Sequence, residues 1–95
     1  RWNMAKIAVE KSTGLVWEAW GDGYQLEFGR HGLEVFLHDK LITTYGYMNA
    51  SEYSIWEAVV SVPEDFTATK YIHDGTSWSL NAEWTEDIPP NPVEE

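Results

Sequence analysis

From Met4 to Met48 apolar and polar residues alternate, and short turns rich in Gly and Asp interrupt the alternation. Ala5, Ile7 and Val9 share one parity, with Lys6 and Glu10 on the other. Tyr24, Leu26 and Phe28 alternate with Gln25 and Glu27, and Leu33, Val35 and Leu37 alternate with Glu34, Phe36 and His38. A period of two places successive side chains on opposite faces of a pleated strand, so each segment can bury one face and wet the other. Short connections make successive strands antiparallel neighbours. The spacing therefore predicts five strands, over 4–10, 15–20, 24–28, 33–38 and 41–48, running as an antiparallel meander. Ser12-Thr13-Gly14, Gly21-Asp22-Gly23 and the segment 29–32 are read as turns, and Asp39-Lys40 as a two-residue connection.

Residues 49–62 carry two competing signals. Asn49 with Glu52 imitates a capping box, and Tyr53, Trp56, Val59 and Val60 would share a helix face. The β-branched content of Ile55 to Val62 favours a strand over about 55–62, entered by an irregular turn. Pro63-Glu64-Asp65-Phe66 reads as a single helical turn with Pro at its first position. Tyr71–His73 and Thr76–Leu80 flank Asp74-Gly75, the pair that a type I′ hairpin turn demands. From Thr85 to Glu95 there are three Pro and four acids, a composition expected to stay extended and disordered.

The expected fold is all-β: one domain over residues 1–84, built of six to eight short antiparallel strands in a small barrel-like or sandwich form, followed by the acidic Pro-rich tail 85–95. Ile7, Leu26, Val35, Leu37, Tyr71 and Trp78 are its expected core. A chain of 95 residues buries only about 60–70% of its unfolded surface, so large side chains must do much of the burying. Six Trp, five Tyr and three Phe supply them, each removing about 150–250 Å² from water. Arg1-Trp2-Asn3 precede the first Met and are assigned no structural role.

Charge narrows the partners. The formal net charge is −10, and residues 82–95, with Glu83, Glu86, Asp87, Glu94 and Glu95, carry half of it. Such a surface repels phosphate backbones and anionic membranes, so direct nucleic-acid binding and membrane binding are not expected. No apolar run approaches the ~18 residues of a helical span, and no charged-then-apolar leader pattern opens the sequence. The chain has no cysteine, which removes disulfides and thiolate metal sites from consideration.

Catalytic and metal chemistry find no foothold either. There is no Gly-x-Ser-x-Gly, no phosphate-cradling glycine loop and no cysteine nucleophile. His31, His38 and His73, with Asp22, Asp39 or Asp74 near them, show no metal-ligand spacing and fall mostly in expected turns. No catalytic residue, metal or cofactor is expected. Aromatics are the remaining candidates. Trp17 and Trp20 fall on opposite faces of one strand by parity, and Tyr45 and Tyr47 share a face with Thr43. Parity places Trp20 and Phe36 opposite the expected core, and Tyr45, Tyr47 and Trp84 are read as rim aromatics. Trp20, Phe36, Tyr45, Tyr47 and Trp84 are therefore the expected partner-contact residues.

One segment resembles a known group. Val62-Pro63-Glu64-Asp65-Phe66, then Lys70-Tyr71-Ile72-His73-Asp74-Gly75 with Thr76 and Trp78, and Asn81 before Trp84, resembles the C-terminal half of small proteins encoded in phage and prophage tail regions. The opening stretch from Lys6 to Trp17 is similar to the start of such proteins. The resemblance implies a structural or adaptor component of a virion or of tail assembly. Its partners would be other virion proteins or further copies of the chain, and its place the virion or the host cytoplasm during assembly. Two other classes compete: an acidic inhibitor that imitates nucleic acid to block a host enzyme, and a small carbohydrate-binding module.

Overall fold

The computed structural model describes residues 4–85. Eight strands form three antiparallel sheets, and there is no helix among the described residues. β1 (Ala5–Glu10), β2 (Val16–Gly21) and β6 (Tyr53–Val59) make the first sheet, in the order β2-β1-β6. β3 (Gln25–Gly29), β4 (Gly32–Leu37) and β5 (Lys40–Tyr45) make the second, and β7 (Tyr71–His73) with β8 (Trp78–Leu80) the third. The all-β architecture of short antiparallel strands is as expected. The five-strand meander is not: β2 does not pair with β3, and β1 pairs with the distant β6 instead. Alternation encodes which face a residue takes. It does not encode which edge a strand joins.

β1 is the centre of the molecule, with both faces covered. Ile7 and Val9 pack with Val16 and Val59, against Phe66 and Trp78 of the C-terminal layer. Ala8 turns the other way and packs with Trp20, Leu33, Val35, Met48 and Tyr53. That is why Ala8 is buried alongside Ala5, Ile7 and Val9 although the alternation sets it with the polar residues. Of the expected core, Ile7 and Val35 are fully buried, and Leu26 and Trp78 are half-buried against the two clusters. Leu37 and Tyr71 are corrections: both are half-buried and belong to neither cluster. Leu37 closes the β4–β5 hairpin opposite Lys40, and the Tyr71 hydroxyl reaches out to Asp65 Oδ1 at 2.7 Å.

The turns show how local chemistry was spent. Asn49 does cap a turn: its Oδ1 accepts from the Ser51 and Glu52 amides at 3.1 and 3.0 Å, and the Tyr53 amide returns to the Asn49 carbonyl. The helical signal is exhausted in that turn, and β6 begins at Tyr53, earlier than expected. The fifth strand ends at Tyr45 rather than running to Met48. The β4–β5 loop is His38-Asp39, one residue before the expected pair, with Leu37 opposite Lys40. The β7–β8 loop is not a two-residue turn, because His73 pairs with Trp78 and four residues lie between them. There Asp74 Oδ1 accepts the Thr76 and Ser77 amides at 2.8 and 2.9 Å. Pro63 to Phe66 forms a reverse turn rather than the expected helical one, closed from the Phe66 amide to the Pro63 carbonyl. Most of the acidic tail expected over 85–95 lies outside the described residues.

Candidate functional site

The site begins with an irregularity in β2. Ala8 pairs with Glu18 but Val9 pairs with Val16, which leaves Trp17 as an extra residue on the edge strand. Such a bulge breaks the strict alternation of faces. Val16 and Ala19 pack into the core shared with Ile7, whereas Trp17 and Trp20 both pack against the core on the other side. Glu18, opposite Ala8, belongs to that same side. Trp17 and Trp20 are therefore not on opposite faces, and Trp20 is not an outward contact residue. It is only 8% exposed and is a core residue of the β1–β4 interface.

The second contribution comes from the end of β5. Tyr45 pairs with Leu33, which points it at the core side, and the chain then turns so that Met48 inserts with no exposure. Tyr47, between them, stays at the surface with half of its area exposed. Tyr53, the first residue of β6, is buried beneath. The rings form a connected set. Trp20 meets Tyr45 at 5.8 Å, Tyr45 meets Tyr47 at 6.2 Å, and Tyr47 meets both Trp17 at 5.8 Å and Tyr53 at 6.1 Å. Every contact is edge-to-face, with interplanar angles from 61° to 80°, the arrangement favoured by ring quadrupoles.

Glu18 is the one acid that acts on this set from β2. Burial raises its carboxyl above the usual carboxylate value. Burial also raises the Tyr45 and Tyr47 hydroxyls, with the Glu18 charge adding to both. No hydrogen bond or ion pair satisfies the Glu18 carboxylate among the described residues. Glu10, by contrast, accepts from the Thr13 hydroxyl at 2.8 Å and from the Trp17 indole N–H at 3.4 Å. Glu18 thus sets a partly desolvated carboxylate, without a protein partner among the described residues, on the same side as the aromatic set.

The other expected contact residues lie elsewhere. Phe36 lines a separate groove of about 480 Å³ with Lys6, Gln25, Leu26, Glu27, Asp39 and Glu57. Trp84 belongs to the C-terminal layer, where Lys70 Nζ stands 5.0 Å from its ring centre and 2.7 Å from Asp65 Oδ2. Hydrogen bonds from Lys70 and then Tyr71 hold the Asp65 carboxyl below its usual range. Of the five residues, the structure thus brings together Trp20, Tyr45 and Tyr47. Glu18 and Tyr53 complete the set and were missed, and Trp17, set on the opposite face by parity, joins it only through the bulge. No local sequence signal marks that bulge.

The histidines are dispersed. His31 and His38 are exposed in turns, while His73 is buried edge-on against Trp78 at 4.9 Å. Among the described residues, no three of the His, Asp and Glu side chains are placed to hold a metal ion. No protein-family model, curated protein or solved structure matches this chain.

Proposed function

We propose that the protein works by protein–protein contact without turnover, as a structural or adaptor component of a phage particle or its assembly pathway. The contact surface in this reading is formed by Trp17, Tyr45 and Tyr47. One observation carries it: Tyr47 is half exposed although its ring touches Trp17, Tyr45 and Tyr53. Aromatic area held rigidly at a surface costs little further ordering on binding, which is what interface hot spots require. The phage setting comes from the resemblance of the segment from Val62 to Trp84. The ring angles also bear on the carbohydrate alternative. A sugar platform needs two or three nearly coplanar rings, whereas these meet at 61–80°.

The test is capture of purified virion proteins of the encoding phage by the immobilised chain, alongside light scattering for self-association. Wild type should capture a virion component or self-associate, and Tyr47→Ser should lose at least tenfold in affinity while staying folded. A monomer that binds no virion protein overturns the reading, as does undiminished capture by Tyr47→Ser.

A further inference from the structure

The surface around Tyr47 carries a charge that the fold itself does not use. Glu18 stands on the same side of β2 as Trp17 and Trp20, and its charge is felt at the hydroxyls of Tyr45 and Tyr47. Three of the lysines are engaged away from Glu18. Lys6 donates to the Tyr24 carbonyl and Lys11 to the Ala50 carbonyl at 2.8 Å, and Lys70 pairs with Asp65. A half-buried carboxylate without a partner is a standing cost to the folded state, and a cation brought by another molecule removes that cost.

We infer that this surface receives an arginine side chain of the partner protein, its guanidinium laid on the exposed Tyr47 ring and forked onto the Glu18 carboxylate. The inference rests on the contact reading of the same surface. A flat guanidinium fits both features: it stacks on an aromatic face and bonds a carboxylate through two parallel N–H groups. An ammonium offers a point charge without the plane, so lysine is the poorer fit. The net charge of −10 acts in the same direction, drawing basic surfaces and repelling acidic ones. Because burial already raises the Glu18 carboxyl, an arriving cation should pull it down again. Binding should therefore weaken as the pH falls and Glu18 takes up a proton.

The test uses the full chain and the blocked tripeptide Gly-Arg-Gly, followed by the shift of the Trp17 indole N–H in nuclear magnetic resonance spectra. Two control tripeptides replace Arg with Lys and with citrulline, its uncharged isostere. The expected result is a saturable shift with the Arg peptide, weaker by several-fold with Lys and by tenfold or more with citrulline. Glu18→Gln should reduce Arg-peptide affinity by tenfold or more. Equal response to citrulline, unchanged affinity in Glu18→Gln, or no response to the Arg peptide overturns the inference. A stronger response to tetramethylammonium than to the Arg peptide also overturns it, pointing to a small cationic ligand. If Glu18→Gln still captures the virion partner and Tyr47→Ser does not, the arginine assignment fails and the contact reading survives.

Discussion

Gly32 lies so close to the carbonyl oxygen of Tyr45 that no side chain fits between them. A Cβ at Gly32 would run into that oxygen, and its φ of +125° is one that L side chains rarely adopt. The contact sits where the β4 strand begins and β5 ends, so it fixes how Tyr45 enters the aromatic set. Gly32→Ala should destabilise the protein by at least about 2 kcal/mol, because strain and collision act together and backbone cannot yield as a flexible side chain would. Urea denaturation checks this. A midpoint within error of wild type would show that the β4–β5 edge relaxes freely.

The His38-Asp39 turn offers the opposite change. Both residues have positive φ, 52° and 66°, as a type I′ turn requires, yet neither is glycine. A left-handed conformation costs a non-glycine residue about 1–2 kcal/mol. Asp39→Gly should therefore stabilise the hairpin by about 1 kcal/mol, net of the greater chain entropy of glycine in the unfolded state. A higher thermal midpoint is the expected reading, and a lower one would mean that the Asp39 side chain contributes more than its backbone costs.

These turns show what the amino-acid order conveys and where it stops. Strand positions and the inward faces of β3 and β4 follow from alternation, since Leu26 and Phe28, and Leu33 and Val35, point as their parity requires. Parity counts residues, however, and one extra residue reverses every assignment beyond it. Trp17 is that residue in β2, which is why it shares a side with Glu18 and Trp20; Trp20 is buried there because the second sheet covers that side as well. Tyr45 and Tyr47 were legible as neighbours. Their meeting with Trp17 depends on two sheets packing together, and no spacing within one strand encodes that.

His73 should make stability fall on acidification. Burial lowers its pKa below the ordinary value of about 6.5, against a smaller opposite pull from Asp74, and its Nδ1 already accepts the Gly75 amide at 3.0 Å. The unfolded chain therefore binds a proton more readily than the folded one. Stability is complete above the ordinary histidine value and declines as the pH drops through it towards the lowered folded value. His73→Asn keeps an acceptor for Gly75 and removes the titration. Urea midpoints between pH 7.5 and 5.5 should slope in wild type and flatten in the variant. The same slope in both would assign the effect to another group.

Glu18 should act with the reverse sign. Its folded-state pKa is raised by burial, so the charged carboxylate opposes folding, and that opposition is relieved as the pH falls through the raised value. Glu18→Gln removes the charge and keeps the shape. The variant should be more stable than wild type at pH 7, and the difference should shrink as the pH falls through the raised value and vanish below the ordinary carboxyl value, where both states carry the proton. A variant less stable at pH 7 would mean that the carboxylate has a stabilising partner.

Trp20 and Tyr47 should separate stability from binding, although both belong to one ring network. Trp20 is 8% exposed and packs among Ala8, Leu33, Val35 and Met48. Replacing it by Ser removes a large buried ring and sets a hydroxyl in the gap, a change costing about 3–5 kcal/mol or more. Domains of this size have about 5–15 kcal/mol in all, so Trp20→Ser should melt far lower or fail to fold. Tyr47 is 50% exposed, and its truncation forfeits edge contacts with Trp17, Tyr45 and Tyr53. That loss should come to about 1–2 kcal/mol. Thermal melts of the two variants decide the matter. Comparable losses in both would mean that Tyr47 belongs to the core, leaving the protein without an aromatic contact surface at this site.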